Sequence, residues 1–118
     1  MALSEALLPS AARTTTQTSR DIRSSGFHWL DVVLDMTAVG TGSVTVTINF
    51  KDVASGKYIL LLSGAAVATN VTNNYTIGPT VAAVANVSAT RSLPDVLQVV
   101  MTANNSNSAT YSVVAVLS

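Results

Sequence analysis

The sequence predicts an all-β fold: a small antiparallel β-sandwich or barrel-like domain of six to seven strands, with an extended N-terminal arm. Two observations carry this prediction. Residues 43–50 (SVTVTINF) alternate strictly between apolar and polar side chains, and the apolar ones are mostly β-branched, as in a half-buried antiparallel strand. Turn signals rich in Gly, Pro and Asn separate this segment from other short apolar segments, a spacing that suits a sandwich better than a helical fold.

Other segments fit the same architecture. Residues 29–36 (WLDVVLDM) place four apolar side chains on one strand face: Leu30, Val32, Leu34 and Met36. Residues 51–57 (KDVASGK) predict a turn in which Asp52 bonds to nearby backbone. Residues 58–63 (YILLLS) are apolar on both faces and predict a central strand covered on both sides. Further strands are expected at residues 75–77, 96–102 and 110–117, with an irregular strand at 81–87.

Residues 1–26 differ from the remainder and are interpreted as an extended arm, with residues 27–118 forming the β-sandwich domain. A candidate helical turn at residues 4–8 is followed by a stretch with almost no apolar content, which should not contribute to a core. The arm could order on a partner or serve no purpose, and both interpretations stand. Half of the six basic residues lie in it and are the candidate partner-binding residues: Arg13, Arg20 and Arg23.

The composition favours association with other proteins. Only 10% of the 118 residues are charged and the formal net charge is zero, whereas about 25% is the average charged fraction. A free monomer of this kind is prone to self-association, and burial of surface against partners resolves the difficulty. The alternative is that the abundant Ser, Thr and Asn side chains solvate the surface.

The sequence predicts neither catalysis nor a cofactor nor a metal site. His28 is the single histidine, cysteine is absent, and no nucleophile or phosphate-binding motif is present. Asp31 and Asp35 lie about 13 Å apart if they share one strand, too far for paired-carboxylate chemistry. Nucleic acid is not an expected partner, because the basic residues are few and scattered, although arginines in the arm could meet phosphates as well as carboxylates.

Nothing marks the chain for export or for a membrane. The first residues lack a basic segment and are interrupted by Pro9, and the longest apolar stretch, residues 58–68, is too short to span a bilayer. We therefore expect a protein that is made in a cytoplasm and is not held in a membrane.

Three segments resemble small structural proteins of tailed bacteriophages: residues 39–62 (VGTGSVTVTINFKDVASGKYILLL), 75–81 (YTIGPTV) and 109–118 (ATYSVVAVLS). The resemblance extends over most of residues 13–118. Its motifs are turns and strand patterns, so they specify a fold better than a role. Phe50 departs from the pattern, which has a small or polar residue before the KD turn.

The resemblance implies a virion protein of the capsid decoration or cement type, which binds and stabilises the shell. Its implied partners are the major capsid protein and sister copies in a homo-oligomer, with a trimer favoured. A tail or head-to-tail connector component is the alternative within virions. A carbohydrate-binding β-sandwich is the alternative from another class of function.

Overall fold

A computed structural model describes residues 2–118. These residues form ten strands and no helix, so the predicted all-β class is confirmed. The strands are β1 (Leu3–Arg13), β2 (Gln17–Thr18), β3 (Ile22–Arg23), β4 (Leu30–Ala38), β5 (Val44–Asp52), β6 (Lys57–Ser63), β7 (Thr72–Gly78), β8 (Ser88–Thr90), β9 (Val96–Ala103) and β10 (Ala109–Leu117).

The strands are arranged in two sheets that pack face to face. The first sheet has the order β1-β10-β4-β7-β8, and the second has the order β2-β9-β5-β6, with β3 also paired to β9. All pairs are antiparallel except β7 with β8. The strand number exceeds the predicted six to seven mainly because β2, β3 and β8 have only two or three residues each and β1 lies in the predicted arm.

The core lies between the two sheets and is built by alternation along the long strands. The four apolar residues predicted on one face of β4 are all buried, and their β5 counterparts Val44, Val46 and Ile48 are buried opposite them. Strand β10, which lies between β1 and β4, contributes every second residue to the same core: Ala109, Tyr111, Val113, Ala115 and Leu117. Alternation therefore predicts correctly which face of these strands is buried.

Residues of the predicted arm are part of both sheets, and the expectation that they contribute nothing to the core is wrong. Strand β1 pairs with β10 from Leu3 opposite Leu117 to Arg13 opposite Ala109, with two register shifts around Pro9. Buried apolar side chains from this segment, Leu7 and Ile22, belong to the core. The predicted helical turn at residues 4–8 is likewise wrong. Strand pairing uses backbone groups, so a polar composition does not prevent a segment from joining a sheet.

Strand β6 occupies an edge of the second sheet, and the prediction of a central strand covered on both faces is wrong. It pairs with β5 alone. The predicted irregular strand at residues 81–87 is also incorrect: this stretch is a largely exposed turn region whose one β-bridge joins Val84 to Ser88. Alanine and valine there lack the alternation that would bury one face.

Candidate interaction surface

Strands β5 and β6 form a hairpin whose turn is the one predicted from the sequence. Asp52 Oδ1 accepts a hydrogen bond from the Ala54 N–H at 3.2 Å, and Asp52 Oδ2 accepts one from the Ser55 hydroxyl at 2.8 Å. Gly56 has a φ of 75°, a conformation that glycine adopts without steric cost. The turn is therefore fixed by local hydrogen bonds, and the hairpin is a defined structure.

The turn of this hairpin and the adjoining part of β6 carry exposed apolar side chains, which we call the hairpin surface: Val53, Tyr58, Ile59 and Leu60. Their exposed fractions are 71%, 41%, 44% and 59% respectively. Successive strand residues point to opposite faces, so exposure of three in a row means that neither face of β6 is covered there. Nearer the middle of the domain, Leu62 of the same strand is buried.

Sequence analysis identified the apolar run of β6 but not its exposure. Its two-faced apolar pattern is typical of strands covered on both sides. The turn at residues 51–57 indicates that this strand pairs with β5. No sequence pattern indicates whether another strand pairs with its other edge. The covering that the pattern predicts is therefore missing from a single copy of the chain.

A polar cluster crosses the outer face of the second sheet and ends on β6. The Tyr58 hydroxyl donates a hydrogen bond to Asp21 Oδ1 at 2.6 Å, and Lys51 Nζ lies 3.4 Å from Asp21 Oδ2. Lys51 Nζ also lies 5.7 Å from the centre of the Tyr58 ring. The hydrogen bond from Tyr58 lowers the pKa of Asp21, with Lys51 adding to the effect, and the same bond raises the pKa of Tyr58. Asp21 lies between β2 and β3, so the cluster ties the two margins of the sheet together.

The first of the predicted partner-binding arginines, Arg13, is engaged within the chain. Its guanidinium donates hydrogen bonds to the carbonyl oxygens of Tyr111 at 2.6 Å, Ala11 at 3.2 Å and Pro9. The same group lies 4.7 Å from the centre of the Tyr111 ring. Arg13 therefore fastens the end of β1 to β10.

The other two arginines make contacts of their own. Arg20 makes an ion pair with Glu5 at 3.1 Å and lies 3.4 Å from the Ala6 carbonyl oxygen. The two guanidinium groups therefore bond to different backbone positions of β1, Arg13 at Pro9 and Ala11 and Arg20 at Ala6. Arg23 is exposed on β3 beside β9. That these three arginines bind a partner stays a prediction.

A concave feature lies between strand β7 and the loop before β8. It is an open cavity of about 350 Å³ lined by Ala65, Ala66, Val67, Asn73, Asn74, Tyr75, Ala85, Asn86 and Val87. Asn86 has a φ of 63°, in the left-handed region that asparagine tolerates better than most residues. Three amide side chains give this cavity donors and acceptors for a neutral polar ligand.

The acidic residues of β4 are satisfied by neighbouring hydroxyls. Asp31 accepts a hydrogen bond from Thr76 at 2.8 Å, and Asp35 accepts one from Thr72 at 3.1 Å. His28 packs edge-to-face on Trp29, with ring centres 5.7 Å apart. Across residues 2–118, no group of three or more His, Cys, Asp or Glu side chains is arranged to hold a metal ion. The same part of the chain contains no helix that could cross a bilayer.

The fold resembles that of a prophage protein of known structure. The crystal structure of the SPBc2 prophage-derived protein YomS superimposes with a TM-score of 0.55 over 99% of this chain and 92% of YomS, at 10% sequence identity. At that identity the likeness shows a shared fold alone. No family model matches the chain, and no curated protein matches its sequence.

Proposed function

We propose that the protein is a structural component of a tailed-bacteriophage virion, and specifically a capsid decoration protein that binds and stabilises the shell without catalysing a reaction. The observation that carries this proposal is the hairpin surface: three consecutive apolar side chains and Val53 stand exposed in a chain of zero net charge. Such a surface is a liability on a free monomer and is typical of a protein that works inside an assembly.

Two further observations support a phage origin. The strand and turn motifs resemble those of tailed-phage structural proteins, and the fold is shared with a prophage-derived protein along nearly its whole length. The partners are then the major capsid protein and sister copies of this chain, and the protein resides in the virion after assembly in the host cytoplasm.

The physical basis of such a role is multivalency. A shell presents the same site many times, so a modest contact at each site yields strong retention when linked copies bind neighbouring sites. A decoration protein needs a stable fold, an apolar contact and few charges that must lose their water. The displaced pKa values have causes within the fold: Asp21 and Tyr58 bond to each other, and burial raises the pKa of Tyr75 and Tyr111.

The test is binding to shells assembled from the major capsid protein of the same genome. The purified protein is expected to co-sediment with shells at a saturating ratio set by the lattice and to raise the temperature at which they open. Val53→Ser at the hairpin turn should weaken binding about tenfold or more, since a buried valine contributes roughly 1.5–3 kcal/mol. Val84→Ser, an exposed valine in the loop before β8, is the matched control and should bind normally.

A tail or head-to-tail connector role is the alternative within virions. Binding to tail tubes or to six- or twelve-fold rings, with none to shells, would favour it over decoration. The hairpin surface could bind either a shell or a tail assembly. Which of the two binds the protein therefore distinguishes the decoration role from the tail or connector role.

The Asn-lined cavity favours one function of a different class, carbohydrate binding, because amides are suitable partners for sugar hydroxyls. Tyr75 is the aromatic residue of this cavity, and it is buried, which limits stacking on a sugar ring. Binding on a glycan array that is abolished by Asn74→Ala and retained by Val53→Ser would support this second candidate. An empty array would remove it.

A further inference from the structure

Strand β7 has one edge on β4 and another edge that is only partly paired. The Met36 N–H donates a hydrogen bond to the Val71 carbonyl oxygen at 2.9 Å, which fixes the residues that face β4. In an antiparallel pair such bonded positions recur at every second residue. The intervening residues Thr72, Asn74 and Thr76 therefore direct their backbone N–H and C=O groups to the other edge.

Strand β8 covers only the end of that edge. The Thr76 N–H bonds to the Val87 carbonyl oxygen at 3.1 Å, and the parallel pairing of β7 with β8 begins at Thr76 opposite Ser88. The Val87 N–H is the group that would continue this ladder to the Asn74 carbonyl oxygen. It bonds instead to the Val84 carbonyl oxygen at 3.0 Å, within its own turn. The ladder therefore stops before Asn74, beside the cavity that Asn74 and Val87 line.

The cavity has small, uncharged walls and an apolar interior. Ala65 and Ala66, from the segment after β6, and Ala85, from the loop before β8, are all exposed lining residues. Val67 and Tyr75 add buried apolar surface. None of the nine lining residues carries a charge, so a charged side chain would lose its water there without gaining a partner. The volume of about 350 Å³ suits a short segment with small side chains.

From these features we propose that the cavity binds an extended, uncharged peptide segment of a partner protein, which adds to β7 as a short strand beside Asn74. The backbone of the segment exchanges hydrogen bonds with the N–H and C=O groups that Asn74 and Thr72 direct to this edge. In strand addition the main chain supplies affinity, and pockets for alternate side chains supply specificity. The small walls of this cavity select side chains such as those of Ala, Ser, Thr and Val.

The terminal strands of a second copy are poor candidates for the occupant. Strands β1 and β10 pair with each other from Leu3 opposite Leu117 onward, and the Ser118 N–H bonds to the Trp29 carbonyl oxygen at 3.0 Å. These strands are therefore engaged within their own copy. Strand β1 also carries the charges of Glu5 and an arginine, which the uncharged walls would not compensate. A segment of a different protein is the occupant that remains.

The arrangement also favours a peptide over a sugar. A strand edge presents N–H and C=O groups at the spacing of a neighbouring strand, which a peptide backbone matches along its length. Tyr75 is 4% exposed, so its ring offers little surface for stacking on a sugar. The inference goes beyond the proposed function, because the cavity and the hairpin surface share no residue.

The test begins with an array of every capped pentapeptide built from Ala, Ser, Thr and Val, probed with the full chain. Five extended residues span about 17 Å, which covers Thr72 to Asn74 with a residue to spare at each end. Bound peptides are then titrated into isotope-labelled protein and followed by NMR. We expect saturable shifts centred on Asn74 and the other lining residues. Methylation of the peptide N–H that bonds to β7 should weaken binding about twofold to tenfold.

Two pairs of variants locate the contact. Ala85→Leu narrows the cavity and should weaken binding at least about fivefold. Ala54→Leu makes the same change at an exposed site in the β5–β6 turn and should bind like the wild type. Asn74→Pro removes the backbone N–H and should weaken binding about twofold to tenfold, whereas Asn74→Ala keeps that N–H and should retain binding. All three positions are exposed, so circular dichroism should show unchanged folds.

An array on which no peptide binds would overturn the proposal, as would binding that survives Ala85→Leu or is lost in Asn74→Ala. Sugars that shift the same resonances when no peptide does so would also overturn it, in favour of the carbohydrate candidate. The inference and the proposed function fail separately. A protein that decorates shells but binds no peptide refutes the inference alone. A protein that binds peptides in the cavity but ignores shells supports the inference and counts against the function.

Discussion

Tyr58 and Asp21 join opposite margins of the second sheet through a hydrogen bond of 2.6 Å. Tyr58 lies on β6, at the edge, and Asp21 lies between β2 and β3, which pair with β9 on the other side of β5. The bond therefore ties a residue from the N-terminal segment to the strand that carries the hairpin surface. It holds the apolar edge in a fixed orientation relative to the rest of the domain.

Tyr58→Phe should lower stability between about pH 4 and pH 10, because the bond requires ionised Asp21 and protonated Tyr58. The pKa of Asp21 lies below its ordinary value of 3.8, so its contribution is present above that value and is lost as the pH falls through the folded pKa. The pKa of Tyr58 lies above 10.0, so its contribution is present below that value and is lost as the pH rises through the folded pKa. Urea denaturation across this range measures the effect.

The decisive comparison is the pH dependence of the difference between wild type and Tyr58→Phe. The difference should be small at pH 7, because the pair is exposed, and it should vanish at both extremes. For Asp21→Asn, the difference in stability from the wild type should likewise vanish at acid pH. A difference that stays constant from acid to neutral pH would mean that the bond does not contribute to stability.

Ile22→Ala should destabilise the protein by about 2–5 kcal/mol, as expected for a large apolar residue removed from a packed core. Ile22 is 1% exposed although it lies in the polar N-terminal segment. Ile59→Ala removes the same atoms from an exposed position and should change the stability of the monomer by no more than about 0.5 kcal/mol. Chemical denaturation of the two variants would show whether residues 1–26 are part of the folding unit; equal effects would contradict the core assignment.

Gly78→Ala should destabilise the protein by about 1–3 kcal/mol, the usual cost of forcing extra atoms into a packed site. A Cβ at Gly78 would lie 2.0 Å from Trp29 Cδ1 and 2.6 Å from its Nε1, so the indole would have to move. In a Trp29→Ala background the same change should cost much less. Denaturation midpoints of the four proteins in this double-mutant cycle give the coupling, and additive effects would show that the close approach does not limit the site.

Tyr111→Phe should leave stability unchanged or raise it, by at most about 1–3 kcal/mol. The Tyr111 hydroxyl is buried without a hydrogen-bond partner among the described residues, and burial raises its pKa. Removing an unpaired buried hydroxyl removes a desolvation cost of roughly 1–3 kcal/mol while the ring and its contact with Arg13 remain. Tyr111→Ala, which also removes the ring, should cost about 3–5 kcal/mol. A clear loss of stability in Tyr111→Phe, measured by thermal unfolding, would show that the hydroxyl has a partner.

Part of the candidate surface was predictable from the sequence. The turn at Asp52 and the apolar run of β6 were identified from local chemistry, since a turn depends on residues a few positions apart. The position of β6 at an edge was not, because it depends on whether another segment reaches its far side. The contacts of Asp21 with Lys51 and Tyr58 were not predictable either, because these residues lie 30 and 37 positions from Asp21 in the sequence.

The sequence by itself determined the all-β class and the buried faces of β4 and β5, because alternation along a strand is a local property that one buried face imposes. Only the tertiary structure decided that residues 3–13 form a strand, that Arg13 is bonded within the chain, and that β6 stands at an edge. Strand pairing links backbone groups that are alike in every residue but proline, so side-chain composition does not specify which segments pair. That choice depends on how all the strands pack together around one core.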